Sequence, residues 1–308
     1  MHSQTEKLAI LCSDAADRVA DAESFVAVKK LVELLGVELR AQPLLYEGMV
    51  AEPKAKEAKW VVLVDNLLSG YESARYEGET RSNALPHRVR FTIAHELSHV
   101  LQLRAPTAPS STRRRKRLMT EAAQERRMEF EADTLSPLLL IPDVGFSRHC
   151  IDGIARLDLG RLLEVKQKWA VSREVLVNRF GLLTKYDPKG FRFKPALQEI
   201  AIGIGEWSDK RIARLPNWPR PFCNFPQNLI PEFLQLERTN QMLNTVFDSP
   251  DFLLNGGYRN TAESEVFVGT SANHRTDKAR IKITIEVTKP VSGAKFLFVI
   301  DQLSSAET

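Results

Sequence analysis

Long hydrophobic stretches are missing from this sequence. No apolar run in its 308 residues approaches the roughly 18–20 needed for a membrane-crossing helix, which excludes a helical membrane protein. Cysteine is scarce. Cys12, Cys150 and Cys223 are the three present, odd in number, far apart and not in C-x-x-C spacing. They exclude a disulfide framework and a thiolate zinc site, and they predict reduced thiols in a cytoplasmic protein. The opening residues, MHSQTEKLAILCSDAADRV, lack the basic start of a secretory signal. An internal repeat is lacking too. So is a general excess of one charge, because the net charge of +4 comes from a single run, RRRKR at 113–117. Without those five residues the 43 lysines and arginines fall just below the 39 aspartates and glutamates. The run follows APTAPSST and reads as an exposed loop; a phosphate-binding or partner-docking loop is the alternative.

What the sequence does have is a patterned first half. AESFVAVKKLVELLG (22–36) spaces Phe25, Val28, Val32 and Leu35 at three and four residues, which predicts an amphipathic helix stopped by Gly36. WVVLVD (60–65) predicts a short buried strand. Pro86 precedes a helix through RVRFTIAHELSHVLQL, and a second helix runs from about 121 through EAAQERRMEFEADTLSPLLL to IPD at 141–143. Residues 158–183 read as two short helices, the second capped by Ser172. After about 186 the texture changes. QEIAIGIGEW, SEVFVGT, ARIKITIEVT and AKFLFVID predict strands, interrupted by a proline-rich loop at 216–231 and a helix near 232–247. A domain boundary is expected at 186–195.

The chemistry lies in HELSH. Residues i and i+4 of a helix lie about 40° apart, so His95 and His99 project together and can reach one ion at about 2.0–2.1 Å. Glu96 follows the first histidine, where its carboxylate can hydrogen-bond a water over the ion rather than ligate it. Two histidines four apart also occur as ordinary core residues, so the motif alone decides nothing. A hydrolytic site needs a third protein ligand. The pattern H-E-x-x-H-x-x-G-x-x-H is absent, since Gln102 stands where its glycine would be. A carboxylate on the following helix should supply the ligand, and Glu121, Glu125, Glu129 and Glu131 are available. Glu129 and Asp133 are four apart on one face, so Glu129 can bind the metal while Asp133 accepts a hydrogen bond from a ligand histidine. Glu131 lies about 200° round the helix from Glu129, so the two cannot share one ion.

RFTIAHELSH followed by EFEADTLSPLLLIP resembles the ImmA/IrrE family of zinc metallopeptidases, with R-F-T-x-A-H-E-x-G-H and E-x-x-A-N-x-F-A-A-x-L-L-M-P. Arg90, Phe91, Thr92, Ala94, His95, Glu96, His99, Glu129, Ala132, Leu139, Leu140 and Pro142 match position by position. Ser98 replaces the usual glycine, Asp133 the usual asparagine, and Leu135, Ser136 and Pro137 the usual F-A-A; Pro137 is expected to end the helix early. VSREVLVNRFGLL (171–183) is similar to a segment that follows in the family, so the resemblance spans about residues 22–185.

The resemblance implies an α+β chain. Its parts are a zincin-like (gluzincin) metallopeptidase domain over 1–150, a helix-turn-helix-like segment over 151–186, and a mixed α/β, GAF-like sensory domain over 190–308. It implies Zn2+ held by His95, His99 and Glu129, with Asp133 behind a histidine and Glu96 as the general base. An oxyanion donor is needed as well; His149, Tyr71 and Tyr76 are candidates, and WVVLVD is the candidate substrate-binding strand. The implied substrate is a helix-turn-helix transcriptional repressor, cleaved in a stress or DNA-damage response, with a small-molecule signal at the C-terminal domain. A DNA-binding regulator and a repressor-sequestering protein without proteolysis are the alternatives. Direct DNA binding is not expected, because the second helix of 158–183 offers base edges only Arg173, Asn178 and Arg179.

Overall fold

The computed structural model describes residues 4–53, 58–68, 70–105, 121–151, 159–185, 200–208, 211–221, 260–269, 276–286 and 294–303. The RRRKR run, the expected boundary at 186–195, the expected helix near 232–247 and Cys223 lie outside them. The chain divides into two compact units, residues 1–152 with 164–191, and residues 153–163 with 192–308.

The first unit begins with α1 (Gln4–Val19) and α2 (Val28–Leu34). The latter is shorter than the expected 22–36. The Asp21 carboxylate accepts hydrogen bonds from the backbone N–H groups of Glu23 (2.9 Å) and Phe25 (2.8 Å), and Ser24 takes φ 69°. That turn competes with the first helical turn and wins. At the far end Gly36 has φ 59°, as the expected stop requires.

Three strands follow: β1 (Val37–Gln42), β2 (Gly48–Ala51) and β3 (Trp60–Asp65). β3 lies between the others, parallel to β1 and antiparallel to β2, with Gly48 opposite Val64. Val62 and Val64 are fully buried. After the short α3 (Ser73–Glu77) comes α4 (His87–Arg104), the HELSH helix, with Pro86 at its N-terminal cap position. Its Val89, Ile93, Ala94, Leu97 and Val100 are buried, and it packs against α5 (Glu121–Leu140) and beneath β2 and β3.

Pro137 does not end α5, contrary to expectation; the helix continues to Leu140, and the Ile141 N–H bonds the Pro137 carbonyl at 3.0 Å. Proline lacks the donor for the carbonyl four residues back. Burial of Leu138, Leu139 and Leu140 outweighs that loss. A one-turn helix α6 (Asp143–Phe146) and a wider turn at Ser147–Ile151 lead on to α7 (Leu159–Lys168) and α8 (Arg173–Lys185). Ser172 Oγ accepts from the Val175 N–H at 3.2 Å, the expected cap. Cys12 and Cys150 are buried, and burial pushes the Cys12 thiol pKa well above its ordinary value.

Two buried ion pairs tie this unit together. Arg90 meets Glu79, and its guanidinium also donates to the carbonyls of Val26 (2.8 Å) and Trp169 (3.3 Å) and lies over the Phe25 ring. Glu79 in turn accepts from the Val28 and Leu85 N–H groups. Arg179 of α8 meets Asp143, which also accepts from Ser13 of α1.

The second unit contains β4 (Ile200–Ser208), β5 (Arg211–Pro221), β6 (Asn260–Gly269), β7 (Thr276–Glu286) and β8 (Ala294–Leu303). They form an antiparallel sheet in the order β5-β4-β8-β7-β6. The expected loop at 216–231 therefore begins too early, since Pro216–Pro221 belong to β5. Among the described residues, no helix is long and apolar enough to cross a membrane.

Candidate metal centre

Helices α4 and α5 bring His95, His99 and Glu129 to one point. His95 Nε2 lies 3.1 Å from Glu129 Oε2 and 3.1 Å from His99 Nε2, and His99 Nε2 lies 3.3 Å from Glu129 Oε1. These three are the cluster among the described residues whose spacing could hold a metal ion. Four ligands placed tetrahedrally at about 2.0–2.1 Å from an ion are about 3.3 Å apart, close to the separations seen.

The hydrogen bonding behind the rings sharpens this. His95 Nδ1 lies 2.9 Å from Asp133 Oδ1, and His99 Nδ1 lies 2.9 Å from Gln102 Oε1. Both outer partners are acceptors, so both Nδ1 atoms carry the proton and both Nε2 atoms turn a lone pair inward. With both rings neutral, two lone pairs and a carboxylate face one another, and a proton or a metal cation between them relieves the repulsion; two imidazoles with one carboxylate suit zinc.

Glu96 stands beside this cluster and is largely buried. Burial pushes its pKa up to about 7, with the Glu129 charge adding to the effect and His95 opposing it. For His95, burial acts downward, but the hydrogen bond and charge of Asp133, with the charges of Glu96 and Glu129, give a net rise. A carboxylate poised near neutrality suits proton transfer in both directions. Glu131, as expected, turns elsewhere and pairs with Arg127.

The cluster opens into a cleft of about 1240 Å³. Helices α4 and α5 form its floor, and Tyr46 through Val50 form one wall. That wall corrects the expected substrate strand. WVVLVD is β3, paired on both sides, so its backbone has no groups to offer; β2 is the edge strand at the cleft. Glu47 anchors it, pairing with Arg88 and accepting from Thr92 Oγ1 at 3.3 Å. None of the three expected oxyanion donors lines the cleft. His149 is buried against Trp169, with ring centroids 6.2 Å apart, and Tyr71 packs near Tyr76. Tyr46 brings a phenol there instead.

Residues 81–180 match the model of the peptidase M78 family, described as the IrrE N-terminal-like domain. Over that stretch the chain is similar to the IrrE N-terminal-like domain. Both helices that carry the candidate ligands and most of α8 fall inside the match, so the family is metallopeptidase-like over the part that builds the site. No curated protein matches the sequence. Among solved structures, a Mycobacterium tuberculosis transcriptional regulator is similar at 11% identity, with a TM-score of 0.49, covering 100% of this chain and 94% of that one. Nothing about chemistry follows from so loose a likeness.

Sequence reasoning missed Gly48, Glu47 and Gln102. The first two sit on or beside a four-residue strand that periodicity does not reveal, and Gln102 was noticed only as a departure from another pattern. Arg179, one of three residues considered for base contacts, is buried in its ion pair, and Arg173 and Asn178 are half-buried.

Proposed function

We propose that this IrrE-like protein is a zinc-dependent endopeptidase of the cytoplasm that cleaves a helix-turn-helix transcriptional repressor and so relieves repression in a stress response. The observation that carries the catalytic part is the inward convergence of His95 Nε2, His99 Nε2 and Glu129 at the floor of an open cleft, with Glu96 alongside. A zinc ion bound there would polarise a peptide carbonyl and lower the pKa of water. His95, His99 and Glu129 would supply its protein ligands. Glu96 takes a proton from the attacking water and returns it to the leaving amine. An extended substrate backbone pairs with the open edge of β2, and Tyr46 supplies a phenol to the same cleft.

The repressor substrate and the stress response rest on the family resemblance, and the C-terminal unit is the place for a small-molecule signal. The DNA-binding alternative is weakened by Arg179, which is committed to the core. A sequestering protein without proteolysis has no use for Glu96. The deciding experiment incubates the full chain with zinc and small helix-turn-helix repressors from the same genome. Cleavage by the wild type and none by zinc-loaded Glu96→Gln supports the peptidase; equal cleavage by both rejects the mechanism.

A further inference from the structure

We infer that Gln102 is a positioning residue for the metal centre: a neutral amide that fixes the tautomer of His99 and locks the two metal-bearing helices together. The inference rests on the zinc reading above and adds a residue to it.

Gln102 lies three residues after His99 on α4, where an i,i+3 pair meets side by side. Its Oε1 is 2.9 Å from His99 Nδ1. Its Nε2 donates to the Met128 carbonyl of α5 at 3.1 Å and lies 3.5 Å from Glu131 Oε2. Met128 immediately precedes Glu129, so one side chain touches the histidine on one helix and the backbone beside the carboxylate on the other.

The amide has one workable orientation. Turned over, its oxygen would face the Met128 carbonyl and the Glu131 carboxylate, two acceptors, while its NH2 met His99. Held as it is, it presents only an acceptor to His99, so His99 Nδ1 must carry the proton and Nε2 is left bare toward the metal position. Glu131 is itself held, accepting from Arg127 Nε at 3.0 Å and from Thr5 Oγ1 at 3.4 Å. The acid that geometry excludes from the ligand set thus serves the centre through Gln102.

The two histidines are therefore backed unequally, His95 by a carboxylate and His99 by an amide. Glu96, Glu129 and Asp133 already crowd the cleft with negative charge. A further carboxylate behind His99 would raise their mutual repulsion, whereas the amide orients the ring without adding charge.

The test uses the full chain and two readouts. Gln102→Met keeps length and bulk but neither accepts nor donates in this way, and Gln102→Ala removes the side chain. Zinc affinity, measured by competition with a chromophoric chelator, should fall about 10- to 100-fold in both variants. In the metal-free protein, imidazole 15N shifts should report one Nδ1–H tautomer at His99 in the wild type and a mixture in Gln102→Met. Unchanged affinity and an unchanged tautomer in a folded variant would overturn the inference while leaving the zinc site intact. A wild type that binds no zinc would instead overturn the reading on which it rests.

Discussion

Gly48 on the edge strand lies against Glu96. A Cβ placed on Gly48 would sit 3.0 Å from Glu96 Cγ and Oε1 and 2.8 Å from Thr92 Cγ2. The strand that closes one wall of the cleft therefore passes close to the proposed base, and a side chain at Gly48 would force Glu96, Thr92 or the strand to shift.

Gly48→Ala should accordingly push Glu96 or β2 aside. Zinc binding should persist, because no ligand is touched. Repressor cleavage should fall about 10- to 100-fold, since displacement of a catalytic group by less than an ångström is costly. Adding Thr92→Ser removes the nearest methyl, so the double variant should recover part of the loss. Full activity in Gly48→Ala would show that the approach has no catalytic consequence.

Asp133 makes a different demand. It accepts from His95 Nδ1, so Asp133→Ala should weaken zinc binding about 10- to 100-fold. Asp133→Asn keeps an acceptor oxygen at nearly the same place, and asparagine is the residue that the family pattern usually has there. Its loss should be under about tenfold on the same scale. Chelator competition on the two variants checks both statements, and equal losses would mean that the charge rather than the acceptor matters.

Glu129 and Glu131 separate a ligand from a supporting residue. Glu129→Ala should abolish stoichiometric zinc, measured by metal analysis after gel filtration. Glu131→Ala removes a partner of Gln102, Arg127 and Thr5 but no proposed ligand, so it should keep one zinc per chain at reduced affinity. A reversal of that order would reassign the third ligand.

The two helices of the candidate metal centre were legible because each carries its chemistry at helical spacing: His95 with His99, and Glu129 with Asp133. The edge strand was not. GMVA is four residues long, and nothing in it says whether it or WVVLVD stands at the cleft; that depends on strand order, which is tertiary. β5 was hidden by Pro216, Pro219 and Pro221, which read as loop. Its place at the end of the sheet order explains their tolerance, since an edge strand can leave one row of N–H groups unpaired. Asp21 likewise cut the expected helix short by capturing two N–H groups, a contest that apolar periodicity does not register. Gln102 gains its meaning only from Met128 and Glu131 on a helix that packs against it.

The buried Glu96 carboxylate should be visible in stability as well as in catalysis. Its pKa in the folded, metal-free protein is raised from the ordinary 4.5 to about 7, so folding favours the protonated acid. The stability this lends is complete below about pH 4.5 and is lost as pH rises toward and through about 7. Glu96→Gln stays neutral throughout and escapes that loss. Denaturant titrations of metal-free wild type and Glu96→Gln should therefore nearly coincide at pH 5. By pH 8 they should diverge by about 2–3 kcal/mol in favour of the variant, since a tenfold change in an acid's ionisation constant corresponds to about 1.4 kcal/mol. Titrating groups that do not interact with Glu96 cancel in the difference, which leaves Glu96 with its neighbours His95 and Glu129. Parallel curves from pH 5 to 8 would mean that Glu96 ionises without penalty, and the case for its poise near neutrality would fall with them.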